Sequence, residues 1–325
     1  MIISKTPFRI SFVGGGSDIA SFYKTTPGAV VSTTINKYLY VTLNKRFDGK
    51  IRLSYSESEL VDKVSHLKHK IAKETLKFFK IHRGVEITST GDIPSGTGLG
   101  SSGAYTVGLL NVLSTHTGSP FTKEQLAYYA SVMEIERVGR PIGKQDQCAS
   151  AYGNLNFIQF NPDESVVVEP ITLSSPKRKQ LEENLLLFYT GKREFAEKVL
   201  AQQNKKVEKM IDKQKSMSQM VTIAKNLKDE LNRGKIQAFG ELLHENWLLK
   251  KKLTGGISSP QIDEWYETAR KKGAIGGKIC GAGGRGFLLL YAPIQDHRKI
   301  ARALSDLQKV DFAFEKKGST IIYNQ

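Results

Sequence analysis

Three glycine-rich loops hold most of the residues in this 325-residue sequence whose types and spacing suit chemistry. The strongest, second in chain order, runs from Asp92 through Pro94, Ser95, Gly96, Thr97, Gly98, Leu99, Gly100, Ser101 and Ser102 to Gly103. It lies between a strand-like segment and an apolar helical one. Glycines there let backbone N–H groups approach an anion, and the helix start adds unsatisfied N–H groups and the positive end of a dipole. Together these make a phosphate cradle in which the Ser101 and Ser102 hydroxyls can bind phosphate or a Mg²⁺ carried on it. A Walker loop needs a lysine after Gly96, where Thr97 stands. A dinucleotide fingerprint fits Gly98-x-Gly100-x-x-Gly103 in letters alone, because a second capped helix follows where a strand and its terminal acid are required.

The first loop in chain order, Arg9 to Asp18, places an arginine on a strand and an aspartate beyond Gly14-Gly15-Gly16-Ser17. Both can face one pocket; alternatively Asp18 caps the helix that follows. The third loop, Lys278 to Gly286, is a glycine-rich stretch between two strands, fitted either to close backbone approach or to a plain hairpin. A helix ending in Met133-Glu134-Ile135-Glu136-Arg137 precedes Gly143-Lys144-Gln145-Asp146-Gln147. A carboxylate in that apolar neighbourhood can accept a proton or pair with a cation.

The elements that must position these loops are strands at 8–13, one or two across 29–47, and 50–55 after an Asp48-Gly49 hairpin signal. Helical sequence follows over 58–80, then a strand at 85–90 and an apolar helix over 102–114. Thr122 with Gln125 forms a capping box for a helix to about Val138. Strands at 155–160 and 166–171 pair around Asn161-Pro162-Asp163. The second half opens with a strand at 184–189, carries several helices, one of them capped by Ser259-Pro260 and closed by Gly273, and ends in mixed strands and a helix over 295–307. The class is α+β, with the boundary between 165 and 180 giving domains 1–170 and 171–325.

Lys and Arg number 48 against 32 Asp and Glu, a formal charge of +16. Between Lys192 and Lys252 stand 15 basic and 8 acidic residues. Their interleaving fits a solvated helical surface that attracts small anions better than it fits a nucleic-acid groove. No apolar run approaches the ~20 residues of a membrane span. No secretion signal is expected, and two cysteines, Cys148 and Cys280, make no disulfide framework, so a reducing cytoplasm is the expected compartment.

In order and spacing the three loops resemble the motifs of the GHMP kinases, which include galactokinase, homoserine kinase, mevalonate kinase and phosphomevalonate kinase. Pro94 to Ser102 is similar to the Pro-x-x-x-Gly-Leu-Gly-Ser-Ser motif, with one residue more before Gly98. Lys278 to Gly286 is similar to Lys-x-x-Gly-Ala-Gly-Gly-x-Gly, and Pro7 to Asp18 covers the first motif. The resemblance implies a two-domain fold, with a ribosomal protein S5 domain 2-like N-terminal domain and a ferredoxin-like C-terminal domain. It implies ATP-dependent phosphorylation of a small molecule, with Pro94, Gly96, Thr97, Gly98, Leu99, Gly100, Ser101 and Ser102 around the ATP phosphates. It further implies Ser102 and Glu136 at a Mg²⁺ ion, Asp146 as catalytic base and Arg9 beside it.

Galactokinases carry Gly-Glu-His-x-Asp in the first motif. Here Gly15 and Gly16 replace the Glu and His, which makes galactose a poor expectation. Phe8 to Asp18 and Tyr189-Thr190-Gly191 instead resemble the subgroup of D-glycero-D-manno-heptose 7-phosphate kinases and fucokinase-like enzymes. That resemblance implies phosphorylation of the anomeric hydroxyl of a heptose 7-phosphate, on the way to a nucleotide-activated heptose for lipopolysaccharide or capsule. Gly15, Gly16, Ser17, Asp18, Gly283 and Arg285 are the expected substrate contacts, and Lys144, Lys192 and Arg193 are candidates for the distal phosphate. The alternatives are a kinase of a free sugar such as fucose and a non-catalytic sugar or ATP sensor. The expected partner is a small molecule, with neither nucleic acid nor membrane, on a monomer or homodimer.

Overall fold

The computed structural model describes residues 1–191, 208–284 and 286–325. Among these the chain runs β1 (Ile2–Val13), α1 (Ala20–Tyr23), β2 (Gly28–Lys45), β3 (Ile51–Ser54), β4 (Ser58–Val61), α2 (Lys70–Phe78), β5 (Val85–Gly91), α3 (Ser101–His116) and α4 (Lys123–Ser131). A π-helical turn, Val132–Arg137, leads on to α5 (Gln145–Tyr152), β6 (Leu155–Phe160), β7 (Val166–Pro170), α6 (Ser175–Glu183) and β8 (Leu185–Gly191). The second half carries α7 (Glu208–Asn232), α8 (Phe239–Leu253), α9 (Pro260–Lys271), β9 (Gly276–Ile279), β10 (Gly286–Tyr291), α10 (His297–Ala303), β11 (Gln308–Lys309), β12 (Phe314–Glu315) and β13 (Thr320–Asn324).

The strands form two sheets. The first is nine-stranded, with order β13-β1-β2-β5-β3-β4 and with β12 and β6 also pairing β2 and β7 pairing β6. The second is four-stranded, β11-β8-β10-β9. All pairs are antiparallel except β3 with β5. Val, Ile, Thr and Tyr dominate the 18-residue β2, which pairs with β1 along most of its length. The apolar α3 lies across this sheet with Gly103 through Ser114 buried. A Cβ at Gly108 would stand 2.9 Å from Thr6 Oγ1, so glycine sets how closely α3 approaches β1. That approach brings the N-terminus of α3 up to Arg9.

Several local expectations hold. Thr122 and Gln125 form the capping box, and Ser259 caps α9 with its side chain accepting from the Ile262 N–H. Others are corrected. Asp48-Gly49 joins β2 to β3 without making them a hairpin, because β5 inserts between the two. The segment 58–80 begins as strand β4, where Glu59 and Leu60 alternate between buried and exposed, and becomes helical only at Lys70. Sheet pairing crosses residue 170. β12 and β13 return from the second half to pair with β2 and β1. Among the described residues no helix is long and apolar enough to cross a membrane.

Candidate active site

A cavity of about 870 Å³ opens between the two sheets. Arg9 and Ser11 reach it from β1, Gly15, Gly16 and Asp18 from the first glycine loop, Ser102 and Gly103 from α3, and Gln145 and Asp146 from α5. Lys250 at the end of α8, and Gly281 and Ala282 from the third loop, close it from the other side.

Two polar pairs sit in it. Arg9 donates from Nε to Asp146 Oδ1 at 2.8 Å and approaches the same oxygen with Nη2 at 2.7 Å. Its Nη1 donates to the Gly98 carbonyl at 2.7 Å, and the Arg9 N–H donates to the Leu99 carbonyl at 3.0 Å. The arginine is 4% exposed, so the phosphate loop and Asp146 hold it rigidly from opposite sides. Asp146 lies in the first turn of α5, where a carboxylate favours the helix dipole. Gly103 permits this packing: a Cβ there would lie 2.8 Å from Asp146 Cβ.

The second pair is Ser102 with Glu134. Ser102 Oγ donates to Glu134 Oε2 at 2.5 Å, and Gln147 Nε2 donates to Oε1 at 2.8 Å. Glu134 has no solvent exposure. The Arg140 guanidinium also reaches both Ser102 Oγ and Glu134 Oε2. Glu136, expected from sequence as the partner of Ser102, is on the exposed face instead. The reason is the π-helical turn Val132–Arg137, which the expectation of one straight helix omitted. Its wider winding turns Glu134 inward beside Met133, and such turns recur at functional sites.

The remaining expected residues divide clearly. The second loop forms a rim more than a lining. Pro94 and Gly96 are exposed, and an added Cβ at Gly96 would meet open space. Thr97 is buried and donates to the Pro94 carbonyl at 2.9 Å, Leu99 is core, and Ser101 Oγ accepts from the Gly96 N–H at 3.4 Å. Gly100, at φ +78°, starts α3 with no side-chain cap, which leaves the first N–H groups of that helix for a ligand. Gly15 and Gly16 line the cavity.

Ser17 does not, because its hydroxyl braces the loop against the Gly14 and Ala29 carbonyls. Asp18 lines the cavity with its oxygens already engaged by the Gly16 N–H, the Gln145 N–H and Gln145 Nε2. Burial pushes its carboxyl above the ordinary range, against the hydrogen bond from Gly16. It does not cap α1, the helix that follows it; Ile19 occupies that position.

Lys144 turns out of the cavity to Glu164 and the Tyr23 ring. Gly283 packs on Ile257, where a Cβ would lie 2.6 Å from the carbonyl oxygen. Lys192, Arg193 and Arg285 lie outside the described residues. Lys278, read as part of the third motif, is a buried tether, donating to the Ser11 and Phe12 carbonyls at 2.7 and 3.1 Å.

Sequence reasoning missed Ser11, Gln145 and Lys250. Lys250 sits in a lysine run, Lys250-Lys251-Lys252, where nothing local marks one ammonium as buried. Asn246, one helical turn earlier, accepts from the Gly14 N–H at 2.9 Å, so this face of α8 grips the first loop.

Residues 64–154 match the model of the GHMP kinases N terminal domain, and residues 227–311 match that of the GHMP kinases C terminal. The chain belongs to the GHMP kinases. This GHMP kinase is accordingly an ATP-dependent kinase of a small molecule. It is 29% identical to a D-glycero-alpha-D-manno-heptose 7-phosphate kinase of Campylobacter jejuni, over 98% of this chain and 97% of the relative. A putative sugar kinase from Campylobacter jejuni superposes with a TM-score of 0.78 at 27% identity, covering 99% and 98% of the two chains. A D-glycero-D-manno-heptose 1-phosphate kinase from Bacteroides thetaiotaomicron shares the fold at TM-score 0.82 and 24% identity over the full length of both.

Proposed function

We propose that this GHMP kinase phosphorylates a sugar phosphate, and that its acceptor is D-glycero-D-manno-heptose 7-phosphate, taken at the anomeric hydroxyl to the 1,7-bisphosphate. The observation that carries the reading is the Arg9–Asp146 pair facing the cavity beside Ser102 and Glu134. The near full-length likeness to the Campylobacter jejuni heptose 7-phosphate kinase supports the choice of acceptor.

Phosphoryl transfer needs alignment and charge neutralisation more than covalent help. The ATP phosphates lie along Gly96–Ser102 at the start of α3. Arg9 fixes Asp146 through Oδ1, which leaves Oδ2 to take the proton of the acceptor hydroxyl. That hydroxyl oxygen bonds to the γ-phosphorus as the bond from phosphorus to the ADP oxygen breaks, and ADP leaves with the electron pair. A positioned base of this kind is worth about 10²–10⁴ in rate.

The donor set fits Mg²⁺. Among the described residues no cluster of three or more His, Cys, Asp or Glu can hold a metal. Mg²⁺ commonly needs only one or two protein oxygens, since phosphates and waters complete its octahedron. Ser102 and Glu134 supply such a pair, and a cation, the Arg140 guanidinium, already rests on both. When bound, Mg²⁺ neutralises charge on the β- and γ-phosphates.

ADP release on a panel of heptose 7-phosphate, sedoheptulose 7-phosphate, mannose, mannose 6-phosphate, fucose, galactose and mevalonate tests the reading. Turnover restricted to heptose 7-phosphate supports it, and turnover of a free sugar alone refutes the phosphate requirement. Asp146→Asn keeps ATP binding and loses at least about 10²-fold in kcat; near wild-type kcat removes Asp146 from the role of base.

A further inference from the structure

The first motif of this chain has lost two side chains relative to galactokinases, and the space at Gly15 is not simply empty. An added Cβ at Gly15 would stand 3.3 Å from Ser11 Oγ, 3.5 Å from Gln145 Nε2 and 3.5 Å from Lys250 Nζ. Three polar heads from β1, α5 and α8 therefore converge on one point at the wall of the cavity.

Their bonding is incomplete. Ser11 is 3% exposed, and its hydroxyl has no hydrogen-bond partner. Gln145 Oε1 is likewise buried and unpartnered. Lys250 is 7% exposed, and among the described residues its ammonium donates only to carbonyl oxygens, Gly281 at 3.1 Å and Gly15 at 3.4 Å. Among the described residues no carboxylate lies within 4.0 Å of it, whereas the neighbouring Lys251 is paired with Asp263. An ammonium taken out of water without a counter-ion is costly. Burial accordingly pushes Lys250 below the ordinary lysine range, with the Asp18 charge opposing. Gln145 Nε2 gives one hydrogen to Asp18 Oδ1 at 3.0 Å, so the donors left for phosphate oxygens are its second N–H, the Ser11 hydroxyl and the buried Lys250 ammonium.

We propose that Lys250, with Ser11 and Gln145, forms a phosphate subsite over Gly15, which glycine keeps open. It rests on the reading of this site as that of a sugar-phosphate kinase. Ser11 shares β1 with Arg9 and Gln145 precedes Asp146 in α5, so the occupant is either the phosphate the acceptor already carries or the phosphoryl group in transfer.

Lys250→Met, Lys250→Arg and Gly15→Ala separate these sources in the full chain. Gly15→Ala tests the subsite without removing the lysine: Gly15 is not at positive φ, so alanine strains no backbone there, and its methyl enters the space between the three heads. If the acceptor phosphate is held, Lys250→Met and Gly15→Ala each raise the KM for heptose 7-phosphate at least about tenfold. The KM for ATP stays within about twofold, and Lys250→Arg restores part of the loss. If the transferring group is held, kcat falls by about 10²-fold with both KM values unchanged. Either pattern supports the subsite. Lys250→Met with kinetic constants within about twofold of wild type overturns it, whatever happens to its melting temperature, because a mere pin between α8 and the first loop changes stability alone.

Should none of the acceptor panel turn over, the sugar-phosphate reading fails and the subsite is judged by binding. With a non-hydrolysable ATP analogue and Mg²⁺ filling the nucleotide loop, inorganic phosphate at millimolar concentration raises the melting temperature of wild type but not of Lys250→Met. Equal shifts in both, or none in either, overturn the subsite.

Discussion

Replacing Glu134 and Glu136 one at a time tests the geometry around Ser102 most sharply. Both are acids on one short segment, and only one is buried. Glu134 has no exposure and accepts hydrogen bonds from Ser102 at 2.5 Å, Arg140 at 2.5 Å and Gln147 at 2.8 Å. Glutamine keeps the shape but turns one oxygen into an N–H₂ donor. Whichever end that amide takes, it faces a donor: Gln147 on one side, Ser102 and Arg140 on the other. One hydrogen bond to a charged group is lost, worth about 1.5–3 kcal/mol. The Arg140 side chain is 39% exposed, so solvent screens part of the charge it leaves unpaired, and we expect about 1–2 kcal/mol of lost stability. On the proposed assignment of Ser102 and Glu134 to Mg²⁺, loss of the carboxylate removes charge that would offset the cation, with an expected fall of about 10²–10³ in kcat/KM. Glu136→Gln, on the exposed face, shifts stability by no more than about 0.5 kcal/mol and leaves the rate within about twofold. The assay is ADP release titrated with Mg²⁺, alongside urea denaturation. Half-saturation by Mg²⁺ moves upward in Glu134→Gln alone. Wild-type Mg²⁺ dependence in Glu134→Gln, or its loss in Glu136→Gln, refutes the reasoning.

Lys144→Met leaves the KM for a sugar phosphate unchanged, since this ammonium is spent on Glu164 and the Tyr23 ring. Burial alone would raise the Glu164 carboxyl, but Lys144 and Tyr23 outweigh it and hold it at about 2. The pair's stabilisation is therefore present above pH 4.5 and fades as pH falls toward 2. With Glu164 46% exposed it amounts to at most about 1 kcal/mol, read as the wild-type-minus-variant difference in urea stability across that window. Cys148 and Cys280 are both buried, and burial pushes the Cys148 thiol up to about 12 and raises that of Cys280. Neither should react with a disulfide reagent at pH 8 until urea unfolds the chain; rapid reaction of the native protein contradicts the packing. Gly281→Ala puts a Cβ at φ +72° and 2.6 Å from Gly98 Cα. The backbone cost alone is about 1–2 kcal/mol, and the displaced phosphate loop raises the KM for ATP; unchanged melting and ATP KM refute the contact.

What the sequence showed plainly was whatever depends on local backbone chemistry. The phosphate loop stands out because Gly96, Gly98 and Gly100 all take positive φ, which few residues other than glycine tolerate. The capping box at Thr122 and the Ser259-Pro260 start were readable for the same reason. Arg9 and Asp146 were reachable only through the motif resemblance, since 137 residues separate them. Other features had no local mark. The π-helical turn reads like any helix end, so two acids two residues apart were exchanged. The insertion of β5 between β2 and β3 is a long-range choice that a turn dipeptide does not encode. Ser11, Gln145 and Lys250 carry no pattern, because what singles them out is desolvation by neighbours distant in the chain.

The same glycines explain why the motif pattern holds the fold and the site together. Gly98 and Gly281 meet backbone to backbone, and a Cβ at Gly286 would stand 2.1 Å from the Thr97 carbonyl oxygen. The second and third loops are thus one packing unit contributed by two sheets, and their glycines are required before any ligand arrives. Arg9 then ties that unit to Asp146 through the Gly98 carbonyl, while Lys278 bolts β9 to β1 through the Ser11 and Phe12 carbonyls. The machinery proposed for nucleotide and base is therefore held by backbone contacts that tolerate little change. On the reading proposed for this site, acceptor choice falls to side chains that only border this frame. Gly15 opens the space, and Lys250, projecting from a helix outside all three loops, supplies the charge. Substrates can diverge within such a family at positions like these without disturbing the loops that make it recognisable.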